Sequence, residues 1–242
     1  MNSVIYKKIP NCDQSLVKRA EKCGVADLHE ALGPITGRLS LMSPKMSPIV
    51  QGLRVAGQAI TAYNFSGDNM MMHCALRLAK EGQMLVTSNG GTFHGAQWGE
   101  MATLNAQRKK LAGVIVDGNI RDSDAIRNLN FPIWSTWISP SHAEKKGPGA
   151  VNIPIICDGV LIEPGDIIVA DGDGVITIPL SLLGKALENA EKYADREHEW
   201  RPKLTSSEDL YELAKIDLAV KKVGVEEKDI CWNEEVSSSS EK

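Results

Sequence analysis

The sequence predicts an α/β fold that ends in a meander of short strands. Three observations carry this. Apolar, β-branched runs at Gly52–Phe65, Gln83–Ser88, Gly113–Asp117 and Phe131–Thr136 alternate with helix-like stretches. Four shorter runs, Val151–Cys157, Val160–Ile162, Ile167–Ala170 and Val175–Ile178, follow one another across DG, PGD and DGDG turns. Leu182, Leu183, Ala186, Leu187, Ala190 and Tyr193 then recur at helical spacing, predicting a helix from Leu180 to about Trp200.

Taken in order, residues 13–33 predict two short helices. Asp13 caps the first, Leu16, Val17 and Ala20 share a face, Gly24 ends it, and Gly33-Pro34 closes the second. Residues 34–50, rich in Pro, Ser and Met, predict a loop crossing the surface. Asp68 is placed to cap a helix reaching Lys80, with Met71, Met72, Ala75, Leu76 and Leu78 turned inward as core filler. The glycine-rich turn SNGGTFHG leads into a helix at Ala96 to Glu100. A second turn, GNI, follows the strand Gly113–Asp117, and Ser123–Leu129 is a short helix. Ser139–Gly149 is a polar loop. Beyond Pro202 a further helix is expected over Ser206–Lys222, and the terminal VSSSSEK is expected to be disordered.

Composition narrows the function. The 242 residues can bury a substantial core, and 43% hydrophobic with 24% charged residues is ordinary for a globular protein. A net charge of −4, no extended basic run and 5% aromatics argue against nucleic acid as a partner. Five scattered cysteines without a CxxC pair argue against a disulfide framework or zinc site. No signal-peptide core or membrane-spanning window is present, so a cytoplasmic protein without membrane association is expected.

The chemistry concentrates between Gly90 and Asp122. Glu100 starts a helix, Arg121-Asp122 follows a strand, and twenty residues separate Glu100 from Arg121. Arg121 suits a bidentate grip on a carboxylate, and Asp122 suits Mg²⁺ or Mn²⁺. Each also has a plain structural use: Asp122 as an N-cap for Ser123, Arg121 as a partner of Asp124, Asp117 and Glu100 as solvated or dipole-stabilised acids. The five histidines lack HxH or HxxxH spacing, which disfavours a histidine-bound metal. His94 is a loop histidine and His73 a packed one. Asp171 and Asp173 in ADGDGV resemble calcium chelators, but the loop is too short for an EF-hand and suits a hairpin. No nucleophile elbow or dinucleotide fingerprint occurs, which discounts serine hydrolase and methyltransferase readings.

The segments GGTFHGAQWGEMAT, LAGVIVDGNIRD and PGAVNIPIICDGVLIEPGDIIVADGDGVITIP resemble the RraA-like superfamily across about residues 20–205, and within it the class II pyruvate aldolases acting on 4-hydroxy-4-methyl-2-oxoglutarate and 4-carboxy-4-hydroxy-2-oxoadipate. The most specific likeness is the acidic-x20-Arg-Asp motif, here Glu100, Arg121 and Asp122. Those aldolases usually carry Asp at the first position, so Glu100 adds a methylene. The resemblance implies an α/β/β/α sandwich with mixed central sheets over residues 1–205. A C-terminal helical extension and tail, 206–242, is longer than the family's. It further implies a homotrimer or homohexamer with sites between subunits, a divalent metal on Asp122 with waters held by Glu100, and pyruvate held by Arg121 and the backbone around Gly99, Met101 and Ala102. Glu197 or Glu199 would reach in from a neighbouring subunit. The implied activity is metal-dependent cleavage of a 4-hydroxy-2-oxo acid to pyruvate and a keto acid, with oxaloacetate decarboxylation as side or main reaction. The competing implication is a non-catalytic regulator that binds a ribonuclease or another protein.

Overall fold

The structure is a computed structural model that describes residues 3–233. It divides into two compact units, Met1–Ala194 and Asp195–Lys242.

In the first unit β1 (Val4–Ile5) precedes three helices, α1 (Gln14–Lys22), α2 (Val25–Ala31) and α3 (Pro34–Ser40). Asp13 caps α1, its Oδ1 accepting from the Ser15 N–H at 2.8 Å. The expected surface loop over 34–50 is therefore corrected. Pro34 opens α3 as its first residue, β2 (Ser47–Pro48) pairs with a later strand, and Met42 and Met46 are buried. Its Pro and Ser residues read as loop because Pro at a helix start looks like a breaker unless the preceding Gly33, at φ 79°, is recognised as the turn into it.

Next come β3 (Val55–Asn64), α4 (Met70–Leu78), β4 (Gln83–Ser88), β5 (Ala96–Trp98), α5 (Glu100–Arg108), β6 (Gly113–Ile120), α6 (Ser123–Leu129) and β7 (Ile133–Ile138). Strands β3, β4, β6 and β7 lie side by side in parallel. Every residue of β6 is buried, as expected for a strand covered on both faces. Two expectations change here. Ala96–Trp98 is a strand, not the start of the helix, and the GNI turn is the end of β6. The chain stays in the sheet because the β6–β7 register shifts between Val116 and Asn119, where Gly118 sits at φ 148°. The Phe131–Thr136 run likewise pairs two residues later than its pattern suggested.

The meander contains β8 (Gly149–Val151), β9 (Ile155–Cys157), β10 (Val160–Ile162), β11 (Ile167–Asp171) and β12 (Gly174–Ile178). The single run expected over Val151–Cys157 is two strands, broken at Asn152, which has φ 57°. β11 pairs antiparallel with both β12 and β3, so the meander folds back on the parallel strands. The DGDG turn is a hairpin: Asp171 Oδ1 accepts from the Asp173 N–H at 3.0 Å and Oδ2 from the Val25 N–H at 3.1 Å, tying α2 to it.

Three packed layers of apolar side chains define the order of elements. Helices α4, α5 and α6 cover one face of the parallel strands through Met72, Leu76, Ala106 and Ile126. Met84, Ile115 and Trp134 on the opposite face meet Ile155, Ile162 and Ile168 of the meander. α1, α2 and the start of α7 (Leu183–Ser206) close the other side against Ile167, Val169, Ile176 and Ile178. The result is an α/β/β/α sandwich with a mixed ten-stranded sheet.

The second unit holds the rest of α7, then α8 (Leu210–Leu213) and α9 (Ile216–Val223). Pro202 lies inside α7, so the break expected there does not occur. The Thr205 Oγ1 hydroxyl donates to the carbonyls of Arg201 and Pro202 across that turn. The helix expected over Ser206–Lys222 is two shorter ones, and the VSSSSEK segment lies outside the described residues. No helix among the described residues is long and apolar enough to cross a membrane.

Candidate active site

Two neighbouring backbone segments bring the motif together. β5 lies parallel to the end of β6, with Trp98 opposite Ile120, and the Arg121 N–H donates to the Trp98 carbonyl at 3.0 Å. The residues that follow each strand therefore emerge side by side: Gly99-Glu100 from β5, Arg121-Asp122 from β6. Residues separated by twenty positions in sequence become neighbours through this one pairing.

Gly99 is the hinge of the arrangement. A Cβ there would lie 2.7 Å from Asp122 Oδ2 and 3.2 Å from Arg121 Cγ, so only glycine lets the segments approach this closely. As N-cap of α5 it has no side chain to offer, and Asp122 takes that role from outside: the Glu100 N–H donates to Asp122 Oδ2 at 3.2 Å. The same oxygen lies 3.5 Å from Arg121 Nε. The N–H groups of Met101 and Ala102 have no intrahelical acceptor at this position and carry the positive end of the helix dipole. Trp98 Nε1 donates to Thr103 Oγ1 at 2.8 Å, and Thr103 Oγ1 donates to the Gly99 carbonyl at 3.1 Å, which clamps the turn.

Two of the plain structural uses expected of these residues are not found. Asp122 occupies the N-cap position of α6 but makes no side-chain cap bond there, and its backbone is left-handed at φ 59°. Asp124 pairs with Arg127 at 2.8 Å, not with Arg121. The Arg121 and Asp122 side chains remain 45% and 41% exposed. Both line two adjoining cavities. One, of about 200 Å³, also takes in Trp98, Gly99, Met101, Ala102, His73 and His142. The other, more open, adds Glu100, Asp124 and Ser139.

A metal is tested by the donor set. Among the described residues no group of three His, Cys, Asp or Glu side chains converges on one point. Asp122, Glu100 and Asp124 line one cavity; Asp124 is paired with Arg127, and the contacts to Asp122 fall on Oδ2. Few carboxylates with room for water fit Mg²⁺ or Mn²⁺, which keep several waters, and do not fit Zn²⁺. Glu197 and Glu199 lie in the second unit. Both are exposed there, and Glu197 is 3.5 Å from Arg201.

Beneath the glycine-rich turn is a buried polar network that reading the sequence did not reveal. Gln97 Oε1 accepts from Asn64 Nδ2 at 2.9 Å and Thr87 Oγ1 at 2.8 Å, while its Nε2 donates to the Asp117 carbonyl at 2.9 Å. One side chain thus joins β3, β4, β5 and β6 below the site. Asn119 Nδ2 donates to the Phe93 carbonyl and holds the turn down. His94 packs on Phe93 and lines neither cavity, whereas His73 and His142 do line one. The only available signal for the network was a scatter of amides in otherwise apolar strands.

Asp117 is not solvated as its sequence context allowed. It is 4% exposed, and Ser88 Oγ donates to Oδ2 at 2.8 Å. Burial pushes its pKa above the ordinary 3.8, against the opposing pull of the Asp158 N–H and Ser88. A carboxyl whose folded pKa is raised binds more protons folded than unfolded. Its contribution to stability therefore falls as pH rises from about 3.8 through the raised value. Asp166 is raised in the same sense. Asp117→Asn is expected to flatten, without abolishing, the decline of Tm across this window. A Tm–pH profile that is unchanged in the variant would rule out this role for Asp117.

Several known proteins are similar to this chain. The sequence profile of the RraA-like family, described as Aldolase/RraA, matches residues 25–177. An uncharacterized protein of Methanocaldococcus jannaschii is 32% identical over 174 residues, covering 71% of this chain and 84% of its own. A candidate 4-hydroxy-4-methyl-2-oxoglutarate aldolase of Halalkalibacterium halodurans is 36% identical over 154 residues, 64% of this chain and 73% of its own. The crystal structure of Streptomyces coelicolor RraAS2, described as an unusual member of the RNase ES inhibitor RraA family, superposes with a TM-score of 0.73 at 29% identity, over 80% of this chain and 99% of that one. The chain belongs to the RraA-like, Aldolase/RraA family.

Proposed function

We propose that the protein is a divalent-metal-dependent lyase that cleaves a 4-hydroxy-2-oxo acid to pyruvate and a second keto acid, and that it also decarboxylates oxaloacetate. The observation that carries this reading is the joint placement of Arg121, Asp122 and Glu100 beside the open N-terminus of α5. A bound Mg²⁺ or Mn²⁺, held by Asp122 and by waters beside Glu100, would supply a Lewis acid for the 2-oxo group.

The chain's own groups do the rest. Arg121 holds the pyruvate carboxylate, and the N–H groups of Met101 and Ala102 face the oxygen that gains charge. When the C3–C4 bond breaks, its electron pair moves into the pyruvate half as an enolate, and the C4 hydroxyl gives up its proton to become the second carbonyl. Glu100, in the cavity on the Asp122 side, can take that proton. Protonation at C3 then releases pyruvate. With oxaloacetate the same bond breaks to CO₂, and no hydroxyl proton has to leave. The assembly that goes with this reading is a homotrimer or homohexamer, with Glu197 or Glu199 of one copy completing the site of another.

Purified protein supplied with oxaloacetate or 4-hydroxy-4-methyl-2-oxoglutarate should release pyruvate, read through coupled NADH oxidation, with Mg²⁺ or Mn²⁺ present. EDTA should abolish the release. A folded protein that releases none from either acid under any of these metals would overturn the lyase reading. The likeness to RraAS2 would then favour a non-catalytic regulator, to be sought by direct binding to a ribonuclease.

A further inference from the structure

The end of the sheet opposite the candidate active site holds a separate cavity of about 450 Å³. Lys7, Lys8, Cys12, Gln58, Lys80 and Gln83 are among its walls. Gln58 of β3 pairs with Gln83, the first residue of β4, and the next residue, Met84, pairs with Gly113, the first of β6. Arg121 follows the last residue of β6. The eight residues of that strand, about 26 Å at roughly 3.3 Å each, therefore separate the two places. The cleavage chemistry makes no use of this cavity.

The segment between β1 and α1 forms one wall, and three contacts hold it there. The Tyr6 N–H donates to the Val151 carbonyl at 3.1 Å, Asn152 Nδ2 to the Tyr6 carbonyl at 2.7 Å, and Gln58 Nε2 to the Pro10 carbonyl at 2.7 Å. Lys7 and Lys8 lie between these anchors, and Lys80 comes from the turn after α4. None of the three lysines has an ion-pair partner among the described residues. The neighbouring acids are engaged elsewhere. Asp13 Oδ1 accepts from the Ser15 N–H at 2.8 Å, and Glu81, which also lines the cavity, lies 3.5 Å from Lys110 Nζ. The field in the cavity is therefore positive and favours an anion.

Two amides narrow the anion further. Gln58 is only 6% exposed; its Nε2 is committed to the Pro10 carbonyl and to the Gly165 carbonyl at 3.0 Å, and its Oε1 accepts from no described residue. Gln83 is the converse: its Oε1 accepts from the Lys80 N–H at 2.8 Å, and its Nε2 donates to no described residue. An acceptor on so buried a side chain is uncommonly left open unless water or a ligand meets it. A hydroxyl group, which both donates and accepts, matches one free acceptor beside one free donor, and lysine ammonium groups match a phosphate. We propose that this cavity binds a phosphorylated sugar, free or as the ribose phosphate of a nucleotide, with the phosphate on Lys7, Lys8 and Lys80 and a sugar hydroxyl between Gln58 and Gln83. Its volume lies in the ordinary range of small-molecule pockets.

Calorimetric titration of the full chain with ribose 5-phosphate, AMP, ribose and inorganic phosphate separates the parts of the ligand. Ribose 5-phosphate should bind at least about tenfold more tightly than inorganic phosphate, and ribose should not bind measurably. AMP binding tighter than that of ribose 5-phosphate assigns the nucleotide form, and weaker binding the free sugar phosphate. Lys80→Met should weaken binding about tenfold, the scale of one charge-assisted contact, and adding Lys7→Met and Lys8→Met should weaken it again, with pyruvate release from oxaloacetate unchanged throughout. Cys12, in the cavity wall, gives an independent readout. With ribose 5-phosphate at ten times its Kd, alkylation of Cys12 by iodoacetamide should slow about tenfold while the exposed Cys231 reacts as before. Inorganic phosphate binding as tightly as ribose 5-phosphate would overturn the sugar assignment. Failure of every phosphate compound to bind, binding undiminished in the triple lysine variant, or a Cys12 left unprotected would overturn the cavity as a binding site.

Discussion

Arg121→Ala is expected to lower kcat/KM for pyruvate release from oxaloacetate by about 10²–10³-fold, the usual loss when one preorganised group facing developing charge is removed. Circular dichroism and Tm should stay close to those of the unaltered protein, because the Arg121 side chain is nearly half exposed and makes one long contact, 3.5 Å to Asp122. Asp122 requires a different substitution. Its φ of 59° would strain alanine, whereas asparagine tolerates the left-handed region and keeps an oxygen for the Glu100 N–H. Asp122→Asn should therefore fold normally and lose metal-dependent turnover by at least as large a factor, with the Mg²⁺ concentration for half-activity moved upward. Glu100→Gln should show a smaller loss, and Glu100→Asp should keep most activity. The combined Arg121→Ala and Asp122→Asn loss should be well short of the product of the single losses, since both act on one charge. If Asp122→Asn retained full activity in EDTA-treated protein, the metal-based reading of the site would be untenable.

The ease with which this site is read from sequence differs from residue to residue. Glu100, Arg121 and Asp122 stand out because charged residues at the ends of apolar elements are unusual, and the elements themselves follow from β-branched runs and helical periodicity. Of the inward set Met71, Met72, Ala75, Leu76 and Leu78, legible for the same reason, the first four are buried and Leu78, at the end of α4, is partly buried. What brings the charges together is less visible. β5 is three residues, Ala-Gln-Trp, too short for any period, and its pairing with β6 carries a register shift between Ala96 and Trp98 that no local pattern signals. Gln97 reads as an ordinary polar residue, since its partners Asn64, Thr87 and Asp117 come from three other strands. His142 and Lys145 sit in a loop of polar composition, SPSHAEKKGPG, whose order comes from contacts with residues 67–69 and 95–96. Local sequence can identify chemistry and periodicity, but it cannot identify a contact made over seventy residues away.

Gly118→Ala should produce the largest stability loss of any single-methyl addition near the site, about 3 kcal/mol or more, combining a strained backbone with overpacking. At φ 148° the position is one that side-chain-bearing residues rarely occupy. A Cβ there would fall 2.3 Å from Gln97 Nε2 and 3.0 Å from Asn89 Oδ1. Neither atom can simply swing aside. Gln97 is fully buried and its amide is committed to Asn64, Thr87 and Asp117, so moving it would leave several polar groups unsatisfied. Asn89 Oδ1 accepts from the Thr92 N–H at 3.1 Å and shapes the glycine-rich turn. Chemical denaturation should report a lower midpoint at unchanged slope if the fold is kept. Gln97→Ala provides the complementary measurement. By opening space beside Gly118 it should be destabilising alone, yet combined with Gly118→Ala it should cost less than the sum of the two, a coupling that a double-mutant cycle measures. Strict additivity would mean that the added methyl meets something other than Gln97. It would also mean that the network does not hold β5 against β6, the pairing on which the placement of Glu100 beside Asp122 depends.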